Sequence, residues 1–271
     1  MLPAEYACIK PRQIVEQVMI PAALAAGNFI SGEFSRRRFS VSQKSGQGDL
    51  VTEIDLQASK LIDSILNAMC PDIPVVDEES VLTANPIPCE IAFIVDPLDG
   101  TLNFVHGYTE LCVSIGLVYK GKPFAGVVYQ PLQNNLYSGI DGIGSWKNGR
   151  EIRIGKEQHL GECLIATGIP YDLHLRSEGF MKPLGHLLNQ VQEFRILGSA
   201  ASALCYVASG QLSGFFEYGL SPWDVAGAAA IILGAGGVVL PIREQSDPIF
   251  GGSIVTGNAK IGTILRNELS H

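Results

Sequence analysis

The chain has 271 residues, of which 46% are apolar and 17% charged, and its formal net charge is −8. This length and apolar content suffice for a sizeable core and exclude a disordered chain. The acidic balance excludes a general electrostatic pull toward nucleic acid or anionic membrane, although bound cations can reverse the sign at a single site.

No apolar run approaches the length needed to span a bilayer, and Met1 to Lys10 lacks the basic flank and apolar stretch of a secretory signal. A cytoplasmic protein with no membrane partner is expected. The six cysteines (Cys8, Cys70, Cys89, Cys112, Cys163 and Cys205) form no Cys-x-x-Cys pair. Several lie in apolar runs, so free buried thiols are expected rather than disulfides or a zinc site.

The first predicted helix covers 14–29, with Pro21 as a kink or break. Arg36, Arg37 and Arg38 read as a solvated helix end. The stretch 42–48 reads as a mobile loop in which Lys44 is the one charge. Thr52 then suits an N-cap with Asp55 three residues on, an approximate capping box. Behind it Ala58, Leu61, Ile62, Ile65, Leu66 and Met69 form a helical stripe. Asp49 precedes the cap, so helix propensity does not explain it.

A short strand over 73–76 opens into Asp77-Glu78-Glu79-Ser80, and a second, fully apolar strand over 91–95 opens into Asp96-Pro97-Leu98-Asp99-Gly100-Thr101. Pro97 and Gly100 make the second junction read as a turn. Adjacent carboxylates repel, so either one loses its charge or both share a cation. A hard cation takes oxygen ligands, among which the carbonyl of Leu98 is available. Two acidic strand ends about twenty residues apart favour one shared site.

Thr101 would begin a short helix whose N–H groups favour an anion. Strands follow over 111–119, 124–129, 136–140, 143–146 and 151–154, with Asn148-Gly149 as a hairpin turn. The second half alternates strands and helices, which reads as βα layers. Gly198-Ser199-Ala200 lies at a strand-to-helix junction that a ligand can approach. In Ser221-Pro222-Trp223-Asp224, Ser221 suits N-cap, Pro222 suits N1, and Asp224 falls in the first turn, where the helix dipole stabilises a carboxylate. The five histidines show no ligand spacing, and no Walker loop, dinucleotide fingerprint or nucleophile elbow is present.

Asp96-Pro97-Leu98-Asp99-Gly100-Thr101-Leu102-Asn103-Phe104 with the distant Trp223-Asp224-Val225-Ala226-Gly227 resembles the inositol monophosphatase family. The family pattern is D-P-[IL]-D-G-T-x-N-F followed by W-D-x-A-[AG]. Asp49-Leu50-Val51-Thr52 and Glu78-Glu79-Ser80 also resemble its members, so the resemblance covers nearly the whole chain. It implies an α/β (α+β) fold, a layered αβαβα sandwich of the sugar phosphatase type. A single domain over 1–271 is expected, with two sub-layers meeting near 156–160, and a homodimer.

It implies magnesium-dependent, lithium-sensitive hydrolysis of a phosphate monoester, with two or three Mg2+ per site. Carried over, the metal ligands are Glu78, Asp96, the carbonyl of Leu98, Asp99 and Asp224. Asp49 with Thr101, assisted by Glu78, would orient or deprotonate the attacking water. The N–H groups of Gly100 and Thr101 would bind phosphate. Gly198, Ser199, Ala200 and Glu217 would face the alcohol part of the substrate, and Lys44 would sit on a loop closing near the metals.

One departure is visible: the family often has glycine where Asp77 stands, which adds a charge beside the site or is a solvated side chain. The expected substrate is inositol monophosphate or a similar polyol phosphate. Fructose-1,6-bisphosphatase and histidinol-phosphatase are alternatives on the same fold. Asn103 argues against an adenosine-3′,5′-bisphosphate phosphatase, and Leu102 weighs against histidinol phosphate. A non-catalytic regulator binding the transcription machinery is the reading from another class, and the presence of every implied ligand argues against it.

Overall fold

The computed structural model describes residues 10–36, 39–43, 50–80, 90–170 and 173–270. Pro11–Ile14 (α1), a π-helical turn at Val15–Met19 and Ile20–Arg36 (α2) make one continuous helical segment. Pro21 neither breaks nor ends it. Proline has no N–H to give to the carbonyl one turn back and its ring crowds that carbonyl; the wider π turn just ahead of Pro21 relieves both. The segment also corrects the expectation about length, because Pro11–Arg36 is long and apolar enough to cross a membrane by length and composition. Half of its most apolar window is packed inside the fold, and Met19, Ala22, Ala26 and Ile30 belong to the core.

Strands β1 (Val41–Gln43) and β2 (Leu50–Thr52) pair antiparallel. Ser42 and Gln43 are therefore strand rather than loop, while Lys44 and Asp49 lie outside the described residues. Thr52 caps α3 (Glu53–Met69) as expected: its hydroxyl accepts from Ile54 N at 3.1 Å, and Asp55 Oδ2 accepts from Thr52 N at 2.8 Å. The buried stripe of α3 is displaced from the expected one. Ile54, Asp55, Ala58, Ser59, Ile62 and Leu66 face inward, whereas Leu61 and Met69 are 38% and 52% exposed.

The first sheet holds β3 (Val75–Asp77), β4 (Ile91–Asp99), then, after α4 (Thr101–His106), β5 (Cys112–Tyr119), β6 (Lys122–Gln130), β7 (Asn135–Ile140), β8 (Gly144–Lys147) and β9 (Arg150–Ile152), in that spatial order. Only β3 and β4 are parallel. Asn148 and Gly149 both take positive φ (49° and 75°) in the expected β8–β9 hairpin.

Along β4 successive side chains enter different cores: Ile91, Phe93 and Val95 on one face, Ala92 and Ile94 on the other. That accounts for an unbroken apolar run in a strand covered on both sides. The expected turn at Asp96 to Gly100 is instead a bulge within the strand. Asp96 pairs with Ser114 and Asp99 with Cys112, so β4 carries one residue more than β5. A bulge is also where a central strand tolerates Pro97.

The second sheet comprises β10 (Leu164–Thr167), β11 (Glu193–Arg195), β12 (Gly214–Tyr218), β13 (Val238–Leu240) and β14 (Ser253–Gly257) in the order β11-β10-β12-β14-β13. Its helices are α5 (Leu173–Leu187), α6 (Ala200–Ala208), α7 (Pro222–Gly234) and α8 (Ala259–Leu269). Three cores define five layers. One lies between α1–α3 and the first sheet, the second holds α6 and α7 between the sheets, and the third lies between the second sheet and α5 with α8. This is the expected αβαβα sandwich.

Glycines bring α7 onto the first sheet. A Cβ on Gly116 would lie 2.7 Å from Gly227 N, and one on Gly126 would strike the Gly227 carbonyl. The N-terminus of α7, with Asp224, is thereby held against the middle strands. Cys70, Cys112, Cys163 and Cys205 are free and buried, as expected; Cys8 and Cys89 lie outside the described residues.

Candidate active site

The site forms where β3, β4, α6 and α7 end together. Glu78 N donates to Val95 O at 3.1 Å, which extends the β3–β4 pairing by one residue and lays Glu78 beside Asp96. Asp96, almost wholly buried, is fixed by Leu98 N donating to Oδ1 at 2.9 Å. Asp99, also buried, receives three donors on Oδ2: Ser199 Oγ at 2.7 Å, Ala201 N at 2.7 Å and Cys112 Sγ at 3.6 Å. Asp224 Oδ2 accepts from Ser221 N at 2.7 Å, closing the capping box of α7.

These acids act on one another. Burial, then the charges of Glu78, Asp99 and Asp224, pushes Asp96 well above the ordinary carboxylate range. Burial, with Asp99 and Glu78 as the leading charges, does the same to Asp224. Asp99 is pushed up to about 6, burial outweighing its three donors. Glu217, on β12, is pushed up to about 8 by burial and by Asp99. Its carboxylate occupies the space that a side chain on residue 168 would need.

The leading influences on Asp96, Asp99, Asp224 and Glu217 include no lysine, arginine or histidine. A concentration of buried and half-buried oxygen donors, with no positive side chain among the leading influences that the described residues exert on them, is the donor set of a hard divalent cation. Among the described residues, no three acidic, histidine or cysteine side chains already converge as tightly as a metal shell. The Leu98 carbonyl at the bulge adds an uncharged oxygen.

Thr101 stands at the first position of α4, after Gly100 at φ 98°. A side chain on Gly100 would come within 2.9 Å of Glu110 O. Thr101 Oγ1 lies 2.7 Å from Asp55 Oδ1 and 3.1 Å from Leu98 O. Asp55 is the residue that sequence reasoning missed: its place three residues after Thr52 gave it a sufficient capping role. In the fold its second oxygen reaches across 46 residues to Thr101. Burial raises the proton affinity of Asp55, against hydrogen bonds from Thr52 and Thr101 that lower it.

Ser199 caps α6 by accepting from Ser202 N at 3.3 Å while donating to Asp99. Together with Ala201 N it turns this junction toward a carboxylate. Gly198 takes φ 73°, and the Asn103 side chain occupies the space beside it. Asn103 Nδ2 donates to Glu110 O at 2.6 Å and to Leu197 O at 2.8 Å, tying α4 to the α6 junction. Phe104 is buried against Phe34 and Phe39, with ring centroids 5.6 and 4.8 Å away.

Asp77 is not the solvated side chain that one expectation allowed. As the last residue of β3 it is fully buried, Oδ1 accepting from Glu79 N at 2.8 Å. Burial, reinforced by Asp63 of α3 and by Glu78, pushes it up to about 6.

A model of the inositol monophosphatase family matches residues 12–269. Nus factor SuhB of Vibrio cholerae is 34% identical over 90% of this chain and 91% of its own. An inositol-1-monophosphatase of Mesorhizobium japonicum is 36% identical over 92% of this chain and 94% of its own. Among solved structures, the extragenic suppressor protein suhB from Bartonella henselae is similar at a TM-score of 0.87 and 35% identity, covering 94% of this chain and 98% of that one. An inositol monophosphatase from Anabaena is similar at a TM-score of 0.83 and 31% identity, covering 96% of both chains. With the D-P-L-D-G-T-L-N-F and W-D-V-A-G segments built into one acidic site on an αβαβα sandwich, the chain belongs to the inositol monophosphatase family.

Proposed function

We propose that this protein is a magnesium-dependent phosphomonoesterase acting on inositol monophosphate or a similar polyol phosphate. The observation that carries the reading is the gathering of Asp96, Asp99 and Asp224, with Glu78 beside Asp96, at the bulge of β4, where Thr101 Oγ1 lies 3.1 Å from Leu98 O. A phosphate monoester dianion would be repelled by these acids alone. Magnesium held by Glu78, Asp96, Asp99, Asp224 and the Leu98 carbonyl would supply the reversal of charge and a water acidic enough to attack at neutral pH.

The protein groups divide the remaining work. Thr101, by donating to Asp55, keeps oxygen lone pairs for a proton from the attacking water, and Asp55 is the buried acceptor behind it. Asp49 and Glu78 would orient the same water. The N–H groups of Gly100 and Thr101 would receive phosphate oxygens. Glu217 retains its proton near neutral pH and suits a ring hydroxyl of the alcohol. Gly198 and Ala200 would border that alcohol, while Ser199 supports it through Asp99. We read the chain as one domain that works as a homodimer in the cytoplasm.

Phosphate release from inositol-1-phosphate, fructose-1,6-bisphosphate and histidinol phosphate, with and without magnesium, tests this. Magnesium-dependent release from the first, suppressed by lithium, is expected. Preference for another ester would move the substrate and keep the mechanism. No release from folded, magnesium-loaded protein would overturn the enzyme reading.

A second reading rests on relatives named Nus factor SuhB, 32–34% identical over most of the chain: a regulator that binds the transcription machinery. Capture of transcription factors from extract by an Asp99→Asn variant, in low magnesium, would favour it.

A further inference from the structure

We propose that a second pocket, between α5, α8 and the segment after β13, binds a small phosphorylated molecule. The pocket has a volume of about 500 Å3 and receives Lys182 from α5, Arg243 from the segment after β13 and Arg266 from α8. These cations belong to three separate elements, so they converge on the pocket rather than forming a stripe along one helix. Among the described residues Glu244 is the single acid lining it. It stands 3.9 Å from Arg266, a long contact for an ion pair, and its side chain is 85% exposed. Lys182 and Arg243 have no ion-pair partner among the described residues.

Among the described lining residues three cations stand against one anion, in a chain whose net charge is −8, so the sign is reversed locally. Two guanidinium groups and an ammonium suit phosphate oxygens. The volume exceeds what a lone phosphate fills and lies within the range of small-molecule sites. Buried Ile242 and Leu269 provide an apolar floor for the rest of the molecule. Tyr218 completes that floor, edge-on to Phe180 at 6.1 Å, and lies within the influence of the Arg243 charge.

The pocket is separate from the acidic site. Glu217 and Tyr218 are neighbours on β12 and so point to opposite faces of the sheet. Glu217 lies within the influence of the Asp99 and Asp224 charges, whereas Tyr218 packs in the outer core with α5 and α8. The inference does not rest on the phosphatase reading.

The test is calorimetric titration of the full chain with pyrophosphate in a buffer stripped of metal ions by resin. Without metal the carboxylates of the first site repel the probe, so binding reports on the basic pocket. One saturable site is expected, retained by Asp99→Asn and weakened at least about tenfold in Lys182→Ala/Arg243→Ala, which removes two exposed side chains. Absence of saturable binding, or binding unchanged in that double variant, would overturn the proposal. A parallel titration with citrate separates phosphate recognition from general attraction to anions; equal or tighter binding of citrate would overturn the phosphate assignment. A failed titration here leaves phosphate release at the acidic site unaffected.

Discussion

Asp99 has one oxygen held by Ser199, Ala201 N and Cys112, which leaves the other free to serve a cation. Removing its charge while keeping its shape should abolish turnover: Asp99→Asn is expected to lose at least about two orders of magnitude in phosphate release, with an unchanged circular dichroism spectrum. Ser199→Ala removes a supporting donor and not a ligand. It should weaken magnesium binding, read by calorimetry, by about 10–100-fold. Unchanged affinity would show that Ala201 N and Cys112 hold Asp99 unaided. Asp77 illustrates the same dependence on surroundings: a residue readable as solvated is buried and pressed by Asp63.

At the scale of elements, the placement of α7 decides where Asp224 stands. Gly116 and Gly126 of the first sheet meet Ala226 and Gly227 of α7 backbone to backbone. Gly126→Ala would force them apart and should destabilise the protein by about 1–3 kcal/mol, read from urea unfolding midpoints, while raising the magnesium requirement by displacing Asp224. A loss of stability without change in magnesium requirement would mean that α7 adjusts elsewhere. The Gly227 of the W-D-V-A-G segment thus has a packing role: a side chain there would come 2.7 Å from Ser114 Oγ. The bulge in β4 has a comparable role, because one extra residue between Asp96 and Asp99 interrupts the strand's regular alternation where both acids are needed at the site.

At the scale of the molecule, the acidic site should make stability depend on pH and metal together. Asp99 at about 6 and Glu217 at about 8 hold protons more tightly in the fold than their ordinary values of 3.8 and 4.5 allow. Between the unfolded and folded values the native state carries more protons than the unfolded one, so stability falls as pH rises through that interval. The thermal midpoint of metal-free protein is therefore expected to decline from pH 5 to pH 8. Magnesium binds the native, ionised carboxylates and should raise the midpoint more at pH 8 than at pH 5; at pH 8 a hundredfold excess over its dissociation constant corresponds to about 2.7 kcal/mol of added stability. A midpoint indifferent to magnesium at pH 8 would contradict the cation site.

The strand ends rich in acids, the caps at Thr52 and Ser221, the Asn148-Gly149 hairpin and the two motif segments were legible in the sequence because each depends on residues adjacent in the chain. Local sterics, turn chemistry and the helix dipole act over a few residues. Tertiary structure alone decided that the Asp96 to Gly100 segment is a bulged strand, since that depends on register with β5. It alone joined Asp55 to Thr101, turned Ser199 toward Asp99, buried Asp77 and gathered Lys182, Arg243 and Arg266 around one pocket. Those arrangements depend on which elements meet across the sheets, and distance along the chain carries no record of it.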